Sequence, residues 1–381
     1  MLKQQKIFFD FLRFCIGSAK EIPDSLKEVD WKELYAIAKK QALLGVLFYG
    51  IRRLPKELAP EQKLLMQWMV MAEQIRKQNI RLFLDSVKVC KNFENKGFAN
   101  CILKGQGNAL LYPDPYMRTP GDIDIYLAGG RRKIMKYVDR VCPNQVMRYH
   151  HVDFPVMKTA IEVHFTPSYM FFPIHNRRMQ KWFEEVMGEQ CNHRVSLPDG
   201  YGEIHVPQVS FNVIYILSHL YRHIFTEGIG LRQLLDYYFV LVKWHTDLTN
   251  LTDSNKSLPQ MTQINTDLDT LRHELKYLGL WKFAQAVMYV LHEVFGLSED
   301  RMIAPMDEKE GRFLLDEIVR GGNFGQYDDR MGSKVGESKI HRYFRMNLRN
   351  LRFVKHYPTE ALSEPLFRTW FAVWKKIHGI K

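Results

Sequence analysis

No two cysteines in this chain are spaced as CxxC: the five, Cys15, Cys90, Cys101, Cys142 and Cys191, are odd in number and scattered. That excludes a disulfide scaffold and the spacing of a zinc site, and makes a reducing cytoplasm the expected compartment. Long apolar runs are also missing. The closest approach, Phe211 to Leu217, stops at Ser218 and His219, far short of the roughly 20 residues a membrane-crossing helix needs. The stretch MLKQQKIFFDFLRFCIG is interrupted by Asp10 and Arg13; it lacks the clean apolar centre of a signal peptide and reads as an amphipathic helix. No internal repeat is visible. The expectation is a soluble cytoplasmic protein with no membrane span.

What the chain does have is apolar mass and positive charge. Its 381 residues are 46% hydrophobic and 13% aromatic, enough for two or three domains with real cores. The net charge of +12 favours an acidic partner: a nucleotide, a nucleic acid or an anionic surface. The charge gathers at Arg131-Arg132-Lys133, at Arg177-Arg178 and in the tail from Lys334 to Lys381. In that tail Phe367, Trp370, Phe371 and Trp374 recur at helical spacing, which favours a buried stripe over a nucleic-acid stacking platform.

The pattern divides the chain in three. Residues 1–98 read as helical, with no Pro or Gly between Leu64 and Phe93 to break a long helix. Strand-like segments cluster in residues 99–206: Cys101 to Leu103, Ile123 to Leu127, Gln145 to Tyr149, Thr159 to Phe165, Arg194 to Leu197 and Glu203 to Val206, with a helix over Arg131 to Arg140. From 207 to 381 the pattern is helical again, with helices over Val209 to Phe225, Leu231 to Trp244, Leu268 to Phe295, Glu308 to Val319, Ile340 to Val354 and Glu364 to Ile377. A polar loop is expected from Thr246 to Thr266. The fold class is α+β: a small mixed-sheet core flanked by N-terminal and C-terminal helical regions.

The chemistry sits in the middle part. In GDIDIYL, strand alternation sets Asp122, Asp124 and Tyr126 on one face and Ile123, Ile125 and Leu127 on the other. In AIEVHF, Ile161, Val163 and Phe165 form the apolar set, opposite Glu162 and His164. The apolar sets pack, and the acids are expected to face outward. Side by side, carboxylates repel; a bound cation removes that penalty, and hard oxygen ligands suit Mg²⁺. Upstream, Lys104-Gly105-Gln106-Gly107 opens a helix-compatible run whose free N–H groups suit a phosphate.

These residues, LKGQGNALLYPDPYMRTPGDIDIYL followed by IEVHF, resemble the nucleotidyltransferase superfamily of DNA polymerase β type, in particular its uncharacterised bacterial branch of large, mostly helical proteins. The resemblance implies that Gly105 belongs to the turn, that Asp122 and Asp124 bind metal and that Glu162 completes the site. Arg118 and His164 resemble recurrent features of that branch. Gln106 stands where the superfamily often has Gly or Ser, so a hydroxyl contact to phosphate is lost there, and the span from Gln106 to Asp122 is longer than usual. The helical part after the core is implied to wall the nucleotide, through His223, Arg232 and Asp236.

Read this way, the protein moves a nucleoside monophosphate from an NTP to an unknown small-molecule, protein or RNA acceptor, releasing pyrophosphate. Asp122, Asp124 and Glu162 are the catalytic and metal-binding residues for Mg²⁺ or Mn²⁺. Lys104, Gly105, Gln106, Gly107, Arg118, His223, Arg232 and Asp236 bind the nucleotide. The alternatives are a nucleotide- or RNA-binding module without efficient chemistry and a nucleotidyltransferase-like toxin or its regulator. Simpler readings stand beside these: His219 and His223 as a packed pair, Arg232 and Asp236 as an intrahelical ion pair, and His164 as a hydrogen-bonded strand histidine rather than a ligand.

Overall fold

The computed structural model describes residues 3–254, 260–330 and 338–380. Three helices, α1 (Lys3–Ile16), α2 (Trp31–Lys40) and α3 (Leu44–Ile51), precede the 34-residue α4 (Gln62–Asn95). The mixed region then runs β1 (Asn100–Ile102), α5 (Gln106–Ala109), β2 (Ile123–Leu127), α6 (Gly130–Val141), β3 (His151–Asp153), β4 (Ile161–His164), α7 (Pro173–Gln190), β5 (Arg194–Ser196) and β6 (Glu203–His205). Helices follow: α8 (Val209–Thr226), α9 (Leu231–Ser254), α10 (Gln260–Tyr277), α11 (Trp281–Phe295), α12 (Glu308–Gly321), α13 (Lys339–Val354) and α14 (Pro358–Ile377). The fold is α+β, and no helix among the described residues is long and apolar enough to cross a membrane.

The main sheet has the order β1-β2-β4-β3, with β2 and β4 parallel and the outer pairings antiparallel; β5 and β6 form a separate hairpin. Alternation gives the sheet two unlike faces. Ile102, Ile123, Ile125, Leu127, Val152, Ile161 and Val163 press on α6 and the second half of α4, through Leu82, Phe83, Phe93, Ile134 and Val138. The first half of α4, through Trp68 and Ile75, belongs to a second core, which joins α1 and α3 to α8, α9 and α11. One unbroken helix thus spans both cores. Midway, Asn79 Nδ2 donates to the carbonyls of Tyr116 and Arg118, each at 2.8 Å, fixing the approach to β2.

Four expectations change. The acid face does not look outward: Asp124 is 2% exposed, because α8 and α9 cover that side. The segment Gln145 to Tyr149 is not a strand; Met147 makes only a single bridge to Val152, and the edge strand is His151–Asp153. The polar stretch after Thr246 continues α9 to Ser254, with the Thr246 and Thr249 hydroxyls turned back onto the carbonyls four residues before them, and α10 begins at Gln260; residues 255–259 lie outside the described residues. The helix read over Leu268 to Phe295 breaks at Gly279, where φ is +75° and a Cβ would strike the His175 ring. In the tail, Phe367, Phe371 and Trp374 are partly buried, whereas Trp370 is 52% exposed. The ends of the basic run, Lys334 and Lys381, lie outside the described residues.

Candidate active site

Parallel pairing puts Asp124 directly opposite Glu162, and antiparallel pairing puts Glu162 opposite Asp153. One step along, Tyr126, His164 and His151 make a second row. Opposed residues share a face, so carboxylates and imidazoles form two adjoining rows across three strands. His164 Nε2 lies 3.0 Å from Asp124 Oδ1 and 3.6 Å from Glu162 Oε2, and His151 Nδ1 lies 3.2 Å from Glu162 Oε2. From the turn after β1, Lys104 reaches over the sheet: its Nζ is 3.2 Å from Asp124 Oδ2 and 3.1 Å from His219 Nε2 on α8.

These contacts set the charges. Burial works to raise the Asp124 pKa, but Lys104 and the His164 hydrogen bond outweigh it and hold the carboxyl far below its ordinary range. Asp122 is pushed up to about 6, first by the Asp124 charge beside it and then by burial. Burial opposes the imidazolium form of His164, yet bonds to Asp124 and Glu162 raise it. His219, buried and facing Lys104, is pushed well below its ordinary value. His151 falls to about 2, from burial and the neighbouring His164.

Above Asp122, Arg118 makes a two-pronged pair with Asp236 of α9, Nε to Oδ1 at 2.8 Å and Nη2 to Oδ2 at 2.7 Å. The Tyr112 hydroxyl donates to the same carboxylate at 2.7 Å. Asp236 therefore does not pair along its own helix with Arg232, as the four-residue spacing suggested. Arg232 instead donates to Thr119 O at 3.0 Å and lies over the Phe324 ring. Lys104, Gly105, Arg118, Asp122, Asp124, Arg232 and Asp236 line one cavity of about 40 Å³, closed by Tyr215, His219 and Phe324.

Other expected site residues sit elsewhere. Gln106 is 2% exposed, with its Oε1 buried and unpartnered. Gly107 packs against Val206, where a Cβ would come to 2.9 Å of Cγ1, and borders a separate cavity. The helix behind Gly105 is a single turn, so side-chain cations dominate the field that a phosphate would meet there. His223 is held by Arg222 and Glu227. Among the described residues, three groups of donor atoms lie within 4.8 Å of one another: Asp124–Glu162–His164, His151–Asp153–Glu162 and His150–His151–His164. Asp122 is in none of them. His150, His151 and Asp153 were missed from the sequence because the strand was read over Gln145 to Tyr149, and three residues alternate too briefly to mark His151–Asp153 instead.

A family model described as an uncharacterised nucleotidyltransferase matches residues 27–296. The chain belongs to that family. The match takes in both sheets and α8 to α11, hence every residue lining the acidic cavity except Phe324. No curated protein and no solved structure matches. In this nucleotidyltransferase family member a buried cluster of acids and histidines therefore coincides with the region that defines the family.

Proposed function

We propose that the protein transfers a nucleotidyl group from an NTP to an acceptor hydroxyl or phosphate, with release of pyrophosphate. The observation that carries this is the register of β2 and β4, which sets Asp124 against Glu162 beneath three cations, Lys104, Arg118 and Arg232. The donor set fits a divalent cation: Asp122, Asp124 and Glu162 crowd negative charge enough to lift Asp122 to about 6. They would hold Mg²⁺ or Mn²⁺, which supplies charge neutralisation at the transferring phosphoryl group. Lys104 Nζ stands beside Asp124 in place of such a cation, and it swings to the triphosphate when the site fills. Arg118, held by Asp236, and Arg232 bind phosphate oxygens by charge-assisted hydrogen bonds. Glu162 orients the acceptor and takes its proton.

A cavity of about 40 Å³ has room for a few waters and not for a nucleotide. On this reading, entry parts the wall made by His219 and Phe324 from the strand ends. The same closure, with Lys104 neutralising Asp124, favours a second reading: a nucleotide- or RNA-binding module without efficient chemistry. Incubation with NTPs labelled in the α-phosphate, Mg²⁺ or Mn²⁺ and cell extract separates them. Label transferred by the wild type and lost in Asp124→Asn supports the enzyme; nucleotide binding with no transfer to any component supports the binder.

A further inference from the structure

Glu162 belongs to two donor groups at once. On one side it meets Asp124 and His164, and on the other His151 and Asp153 of the edge strand β3. The first group is already matched internally, since both Asp124 oxygens have a cationic or N–H partner. The second is not. Two carboxylates face a single imidazole, and their atoms lie within 4.8 Å of each other. That spacing is about twice a metal–ligand bond of 2.0–2.2 Å.

The protons do not balance either. His151 Nδ1 is 3.2 Å from Glu162 Oε2 and 3.2 Å from His150 Nε2. A proton on Nδ1 serves one of these and not both; without it, the imidazole lone pair opposes the carboxylate lone pair. His150 is 3% exposed and its Nδ1 has no partner, and His164 Nδ1 is likewise buried and unpartnered. A cation resolves the conflict by accepting the imidazole and carboxylate lone pairs together.

We propose that His151, Asp153 and Glu162 form a second cation site, separate from the Asp122–Asp124 pair and joined to it through Glu162. The mixed nitrogen and oxygen donors select a divalent transition metal of the Mn²⁺ to Zn²⁺ class over Mg²⁺, because imidazole suits those ions and not a hard, all-oxygen cation. Access is built in: β3 is the edge strand, His151 is buried, and the Glu162 side chain is 29% exposed. The ion keeps open positions on that side for water or a substrate oxygen.

The test is a Mn²⁺ titration of metal-stripped full-length protein without nucleotide, followed by the resonance signal of free Mn²⁺. The wild type takes up Mn²⁺ saturably, and equimolar Mg²⁺ does not displace it. Asp153→Asn, at a partly exposed edge position, and His151→Gln each weaken uptake by about 10-fold or more. Glu203→Gln, an exposed carboxylate on the separate β5–β6 hairpin, leaves it in place. No uptake by the wild type, unchanged uptake in Asp153→Asn, or loss in Glu203→Gln overturns the site. Because no nucleotide or turnover is involved, failure of the nucleotidyl-transfer reading leaves this result standing, and the reverse is equally true.

Discussion

The two faces of the four-stranded sheet are built from the same strands and both hold fully buried side chains, yet they do opposite work. Ile161 is 3% exposed and Asp124 2%, one on each face. The apolar face meets α4 and α6, and every contact there favours the fold. The acid face meets α8 and α9, and holds carboxylates, imidazoles, Lys104 and Arg118 in a dry setting where any missing partner is expensive. Burial alone therefore does not separate core from site. The chemistry of the partners does.

The largest expected effect is on what keeps the acid face covered. The Arg118–Asp236 pair is buried at both ends and bridges the loop before β2 to α9. Asp236→Ala leaves the guanidinium without its counter-charge and destabilises by about 3–5 kcal/mol, read by chemical denaturation. It also frees Arg118, so NTP affinity falls with stability. A variant as stable as the wild type would mean that the acid face does not depend on its helical cover.

Next comes the apolar face. Ile123 is fully buried between Asp122 and Asp124. Ile123→Ala opens a cavity and costs about 2–5 kcal/mol, while Mn²⁺ binding by the folded protein stays unchanged. A loss of metal affinity with little loss of stability would exchange the roles assigned to the two faces.

Much of this contrast was legible in the chain. Alternation in GDIDIYL and AIEVHF gave the faces, and the family resemblance set Glu162 with Asp122 and Asp124. What alternation does not encode is what lies over a face, and so the acids were expected in solvent. The cover comes from α8 and α9, more than 40 residues away in sequence, through contacts such as Lys104 to His219. Local spacing also misassigned Asp236: at four residues from Arg232 it suggested a helical pair, but Arg118 offers a bidentate geometry that the intrahelical pair does not. The Asp153 edge escaped because β3 is only three residues long, too short for a periodic signal.

A smaller effect tests the charge crowding on the acid face. Asp122 titrates near 6 in the folded protein against an ordinary 3.8, chiefly through repulsion from Asp124. Between those values the folded state binds a proton the unfolded state lacks, so this group's contribution to stability falls as pH rises from about 4 to 6. Asp122→Asn removes that penalty. Above pH 7 the variant is more stable than the wild type by on the order of 1 kcal/mol, while Mg²⁺-dependent nucleotide binding is lost. Below pH 4 the stability advantage disappears. An advantage that grows as pH falls would assign the raised value to the wrong carboxyl.

The smallest effect distinguishes holding the cover in place from merely filling space. Tyr112 is 5% exposed, donates to Asp236 Oδ1 at 2.7 Å and packs its ring 4.6 Å from that of Phe239. Tyr112→Phe keeps the ring and deletes the hydroxyl, so the packing survives and one hydrogen bond to a charged acceptor is lost. Such a bond contributes about 1.5–3 kcal/mol in isolation, but Asp236 keeps both of its bonds from Arg118, which lowers the expected cost to about 1 kcal/mol. Denaturation of Tyr112→Phe, Asp236→Ala and the double variant measures the coupling. If Tyr112 acts through Asp236, its effect vanishes once Asp236 is gone. Additive losses would show instead that the hydroxyl serves another partner and that Arg118 alone positions the carboxylate.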